Sequence, residues 1–79
     1  MNQVVEILKK ELGVYELKPS FSMDSLDSWD SLVHIRMITA LESELDVVFS
    51  VEDIIAMKSV ESIVNVLNTS FGFKIDLGV

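Results

Sequence analysis

The chain has no cysteine, which excludes a disulfide framework, a thiol nucleophile and a cysteine metal site. It has one histidine, His34, too few for a zinc site, so no metal is expected. Basic residues are scarce: six Lys and Arg stand against thirteen Asp and Glu, for a formal charge of −7. A negative surface repels nucleic acid and anionic lipid, so neither is expected as a partner, and basic patches on other proteins suit it better. No apolar run approaches the roughly 18 residues of a membrane span. The first residues, MNQVVEILKKELG, mix acids and lysines and do not read as a signal peptide, so a cytoplasmic location is expected. The single proline, Pro19, biases Lys18 to extended backbone and argues against a helix there.

What remains is a short, apolar-rich chain. Its 79 residues make one domain near the lower limit for a self-sufficient core, and an apolar fraction of 49% suits a small bundle and argues against disorder. Asn2 can cap a first helix to about Leu12, with Val5, Leu8 and Leu12 as its buried stripe and Gly13 as its stop. Val14 to Asp30 is a long connection, pinned by Leu17, Phe21, Leu26 and Trp29. A second helix over about Ser31 to Leu45 carries Leu32, Ile35, Ile38, Leu41 and Leu45 at spacings of three and four. Ser50-Val51-Glu52-Asp53 is a near capping box opening a short helix to about Met57, with Ile54 and Ile55 inward. Ser59 caps a fourth helix with Val60, Ile63, Val64 and Leu67 on its stripe. Three main helices, one short one and a long first loop predict an all-α, small four-helix up-down bundle.

The loop repeats a triplet: Asp24-Ser25-Leu26, Asp27-Ser28-Trp29, Asp30-Ser31-Leu32. Read alone, these serines are cap and turn residues without chemistry. Periodicity separates them. Asp30 is a favoured N-cap and makes Ser31 the first helical residue, with the apolar stripe starting at once. Further Asp-Ser pairs follow Ser25, and they favour turns. A helix start offers unpaired N–H donors and a positive dipole end, so it tolerates an added phosphate. The three acids do not make a calcium loop. An EF-hand needs acids two apart with Gly at the sixth position and Glu at the twelfth, and from Asp24 those are Trp29 and Ile35. His34 lies three residues after Ser31, but no acid–nucleophile–base arrangement surrounds it. It is expected at the surface with no catalytic role.

Trp29-Asp30-Ser31-Leu32 followed by the helix SLVHIRMITALESEL resembles the attachment site and second helix of the acyl carrier proteins. The resemblance runs on through the third and fourth helices to about Leu67. It implies a free-standing carrier, not an enzyme, with 4′-phosphopantetheine from coenzyme A attached at Ser31 and flanked by Asp30 and Leu32. The partners implied are a Mg²⁺-dependent phosphopantetheinyl transferase and acyl-loading and acyl-accepting enzymes, and a monomer is expected. The arm would hold an acyl group as a thioester for biosynthesis. Docking falls to Val33, His34, Arg36, Glu42, Glu52 and Asp53. Typical fatty-acid carriers hold acids at the second and fifth positions after the serine, where this chain has Val33 and Arg36. Glu42, Glu52 and Asp53 keep acids farther away, and Ser43 follows Glu42. The Trp-Asp-Ser-Leu form looks more like carriers dedicated to one pathway, such as those for small hydroxyacyl, aminoacyl or unusual extender units. A rival reading is a small acidic helical interaction module without a prosthetic group.

Residues 1–70 are taken as the carrier-like domain and 71–79 as an apolar tail beyond the resemblance. Phe71, Phe73, Ile75, Leu77 and Val79 alternate with Gly72, Lys74, Asp76 and Gly78, a period of two. A lone strand is not stable in water. The tail either lies across the bundle or adds to a sheet in a partner or second copy.

Overall fold

A computed structural model describes residues 3–75. Four helices follow in order: α1 Gln3–Leu12, α2 Ser31–Leu45, α3 Val51–Ala56 and α4 Val60–Ser70. The fold is all-α. Helix α1 packs on α2 and α3 on α4, around one core that includes Leu8, Leu12, Met37, Leu41, Met57, Ile63 and Leu67. Among the described residues the only sheet-like pairing is an isolated bridge between Ser22 and Ser59.

Helix α1 buries Val4, Leu8 and Leu12, a strict spacing of four, while Val5 is half-buried. The stripe thus begins one residue earlier than expected. The proposed cap, Asn2, lies outside the described residues. Gly13 ends the helix at φ 70°, where L side chains are disfavoured. That turn lets the Gly13 N–H donate to Lys10 O (3.3 Å) and the Val14 N–H to Lys9 O (3.0 Å), the bond pair of a Schellman motif.

Helix α2 has the expected bounds but a different buried face. His34, Met37, Ile38 and Leu41 are buried, whereas Leu32 and Ile35 are 65% and 54% exposed. The cause is geometric. Each step of three residues drifts about 60° around a helix, so the run Leu32, Ile35, Ile38, Leu41 winds from one side to the other. Leu32 ends up almost opposite Leu41. The cap at the far end is Asp46, a non-glycine in the left-handed region (φ 55°), whose N–H donates to Glu42 O.

Helix α3 is opened by a full capping box: the Asp53 N–H donates to Ser50 Oγ (3.0 Å) and the Ser50 N–H to Asp53 Oδ2 (3.2 Å). The shorter acid therefore suffices. Ile54 turns inward but Ile55 is 59% exposed, since adjacent residues lie about 100° apart on a helix. Helix α4 is capped by Ser59, which accepts from the Ser62 N–H at 3.0 Å. It buries Val60, Ile63, Val66 and Leu67, with Val66 taking the place expected for the half-buried Val64.

The long first loop is stitched down along its length. Met23 N–H donates to Lys58 O, Val60 N–H to Phe21 O and Glu61 N–H to Pro19 O, which ties the loop to the α3–α4 junction. Ser28 Oγ–H donates to Leu12 O (2.8 Å), at the end of α1. Trp29 is buried, and Leu17, Phe21 and Leu26 pack half-buried on the core, as expected of the pins.

After α4 the chain reverses at Gly72 (φ 73°), and the Phe73 N–H reaches Leu67 O. Phe71, Phe73 and Ile75 turn toward the core while Gly72 and Lys74 are exposed, the period of two seen in the sequence. Asn68 serves Ile75 as a neighbouring strand would: its Oδ1 accepts from the Ile75 N–H (2.9 Å) and its Nδ2 donates to Ile75 O (3.3 Å). Phe71 also meets Phe49 edge to face, with centroids 5.2 Å apart. Leu77 and Val79 of the alternating pattern lie outside the described residues. Truncation after Ser70 should therefore lower stability by about 2–3 kcal/mol, from three partly buried large apolar side chains. Thermal melting of the dilute protein measures this. An unchanged Tm with lost association would instead mean that the tail serves a partner.

Candidate functional site: the start of helix α2

Asp30 is in extended conformation (φ −104°, ψ −175°), and its Oδ1 accepts from the Val33 N–H at 2.9 Å. Its own carbonyl accepts from the His34 N–H, the first bond of the helix. The cap thus uses the N–H of Val33 and leaves those of Ser31 and Leu32 facing outward at the positive end of a 15-residue helix.

The three motif serines have different fates. Ser25 exchanges hydrogen bonds with Ser22 in a closed turn, its N–H donating to Ser22 Oγ (3.2 Å) and its Oγ accepting from the Ser22 N–H (2.9 Å). Ser28 is spent on the end of α1. Ser31 is exposed on the first helical turn, and its hydroxyl has no hydrogen-bond partner among the described residues. A nucleophilic hydroxyl with this environment can accept a phosphoryl group without breaking any bond of the fold. Such a group would lie next to the outward N–H donors. Leu32 is exposed beside it.

Directly behind this surface lies a buried polar junction. Trp29 is 2% exposed and His34 7%. Trp29 Nε1–H donates to His34 Nδ1 at 3.1 Å, and His34 Nε2 lies 3.0 Å from Ile54 O. Because indole can only donate, Nδ1 must be the accepting nitrogen, so Nε2 carries the proton and donates to the carbonyl of α3. His34 is neutral in this arrangement and has both nitrogens engaged. The expectation of a surface histidine available to partners is corrected: helix periodicity places His34 on the same arc as Met37, Ile38 and Leu41, and Trp29 covers it.

The other residues expected at a docking surface divide. Val33 packs half-buried on the core. Glu42 Oε2 accepts from the Phe49 N–H (2.9 Å) and holds the α2–α3 connection, and Asp53 closes the capping box. Arg36 is on the surface, with Nη2 3.4 Å from Glu11 Oε1. That oxygen has no hydrogen-bond donor, so the contact is an ion pair without hydrogen-bond geometry. Glu52 is exposed at the start of α3. Sequence reasoning named Leu32 beside Ser31 but also placed it on the apolar stripe, and it missed the outward Ile35, Val51 and Ile55 as surface residues. The drift of the three-residue spacing was the signal for the exposure of Leu32 and Ile35.

Among the described residues no group of three or more His, Asp or Glu is placed to hold a metal. Nor is any described helix long and apolar enough to cross a membrane. No curated protein matches the chain. Residues 2–67 match the family described as phosphopantetheine attachment site. With most of its length matched, four helices in the bundle arrangement and a free serine hydroxyl at a helix start, the chain belongs to that family of non-catalytic carriers, which bind 4′-phosphopantetheine covalently.

Proposed function

We propose that Ser31 is the hydroxyl that receives the arm, and that the protein is an acyl carrier for a dedicated biosynthetic pathway in the cytoplasm. One observation supports this above the rest: of the three motif serines, only Ser31 is both exposed at a long helix start and without a hydrogen-bond partner among the described residues. The bound arm supplies a terminal thiol that holds an acyl group as a thioester. The chain itself supplies presentation. Asp30 holds the helix start in shape, Leu32 provides an apolar contact beside the serine, and the bundle keeps both clear of the core. A monomer with an acidic surface suits weak, fast, exchangeable docking to a transferase and to acyl-handling enzymes.

The test is intact mass after incubation with coenzyme A and a broad-specificity phosphopantetheinyl transferase. Wild type, Ser25→Ala and Ser28→Ala should each gain one phosphopantetheine, and Ser31→Ala should gain none. Labelling that survives Ser31→Ala sinks the assignment. A small interaction module without a prosthetic group would gain no mass in any form.

Partner choice follows from charge. Arg36 places a cation where fatty-acid carriers have an acid, and it neutralises Glu11 behind it. The variant Glu11→Gln/Arg36→Glu should bind a fatty-acid ketosynthase several-fold more tightly than wild type at low salt. The gain should vanish near 0.5 M salt, roughly where exposed charges are screened within a few ångströms. Equal affinities of variant and wild type at low salt would show that this position does not steer docking.

A further inference from the structure

We propose that His34 is a positioning residue for modification of Ser31, acting through a hydrogen-bonded staple from Trp29 to Ile54. The proposal rests on the reading of Ser31 as the attachment site. With Asp30 as N-cap, Trp29 stands at the position before the cap and His34 at the fourth helical position. An apolar pair at these two places commonly fixes the angle at which a chain runs into a helix. Here the pair is also bonded, Trp29 Nε1–H to His34 Nδ1, and the rings lie tilted with centroids 6.0 Å apart.

The imidazole then carries the restraint onward. Its Nε2–H donates to Ile54 O, which also accepts from the Met57 N–H at 3.3 Å. Helix α3 has six residues and none of them is buried, so its own packing holds it weakly. The donor from His34 is a tether on its final turn. Three pieces are thereby set in one relation: the residues just before Ser31, the helix that Ser31 begins, and α3.

An enzyme that acts on Ser31 while touching α3 meets this relation ready-made. Without the staple the binding-competent arrangement is populated only part of the time, and apparent affinity falls by that fraction. His34 is buried and touches no reacting atom, so the chemical step itself is left alone.

The experiment is steady-state labelling of wild type, His34→Leu, His34→Gln and Trp29→Phe by a phosphopantetheinyl transferase with coenzyme A. It is run below the melting range of each variant, with the label mapped by peptide mass. His34→Leu and Trp29→Phe should raise KM for the carrier by about five-fold or more, the scale of one lost hydrogen bond, with kcat little changed. His34→Gln should restore KM, because its amide offers one acceptor and one donor. Should His34→Leu fail to fold, Trp29→Phe decides, since it keeps a ring and loses the N–H. Label on Ser31 with unaltered KM in the variants, a loss in kcat alone, or no rescue by Gln overturns the staple only. Wild-type label on another serine overturns the Ser31 reading and the staple's role with it.

Discussion

The bond from the Trp29 indole to His34 is the constraint on which the arrangement depends. It buries two polar groups in the same place: the Trp29 N–H is satisfied by His34 Nδ1, and His34 Nε2 by Ile54 O. An unpaired polar group there would cost about 1–3 kcal/mol, so the indole and the imidazole depend on each other, while Ile54 O keeps the Met57 N–H as a second donor. The contact lies on the buried arc of α2. With His34 inward, Met37, Ile38 and Leu41 follow, and Leu32 and Ile35 are carried out beside Ser31. Core packing and the chemistry of the exposed face are therefore settled by one choice of rotation.

A chain of 79 residues has little core to spend on holding a long loop. It uses backbone groups at existing junctions. The loop lies against the α3–α4 turn through Pro19, Phe21 and Met23, against the end of α1 through Ser28, and against α2 through Trp29. The residues after α4 are treated likewise, with Asn68 standing in for a neighbouring strand. Ser31 is left over at the start of α2, its hydroxyl bonded to none of the described residues. On the proposed reading this suits a carrier, whose attachment atom is handled repeatedly with no disturbance of the fold.

Much of this was legible in the sequence. Helix limits followed from caps: Asp30, Ser50 and Ser59 all serve as expected, because capping is local and needs only a few neighbouring residues. The pins of the long loop were visible as its large apolar residues. Orientation was less legible. Helix α2 has apolar residues around much of its circumference, so spacing alone allowed two faces, and a count of threes and fours chose the drifting one. His34 was misread because a lone histidine carries no sign of burial until its partners are placed. Trp29, five residues earlier, was the available clue, at the staple position opposite it. The second partner, Ile54 O, is a backbone group on another helix and leaves no trace in the side-chain pattern.

On the proposed reading of Ser31, the same geometry sets the face offered to partners. That face has apolar Leu32 and Ile35 beside the serine, with the cation of Arg36 and the acid of Glu52 also exposed. The most direct measurement is the tautomer and exchange of the His34 imidazole by ¹⁵N-detected NMR at neutral pH. The account predicts a single species in which Nε2 is protonated and its proton exchanges slowly, while Nδ1 is unprotonated and coupled across a hydrogen bond to the Trp29 indole N–H. The opposite tautomer, or a rapid average of the two, would contradict it.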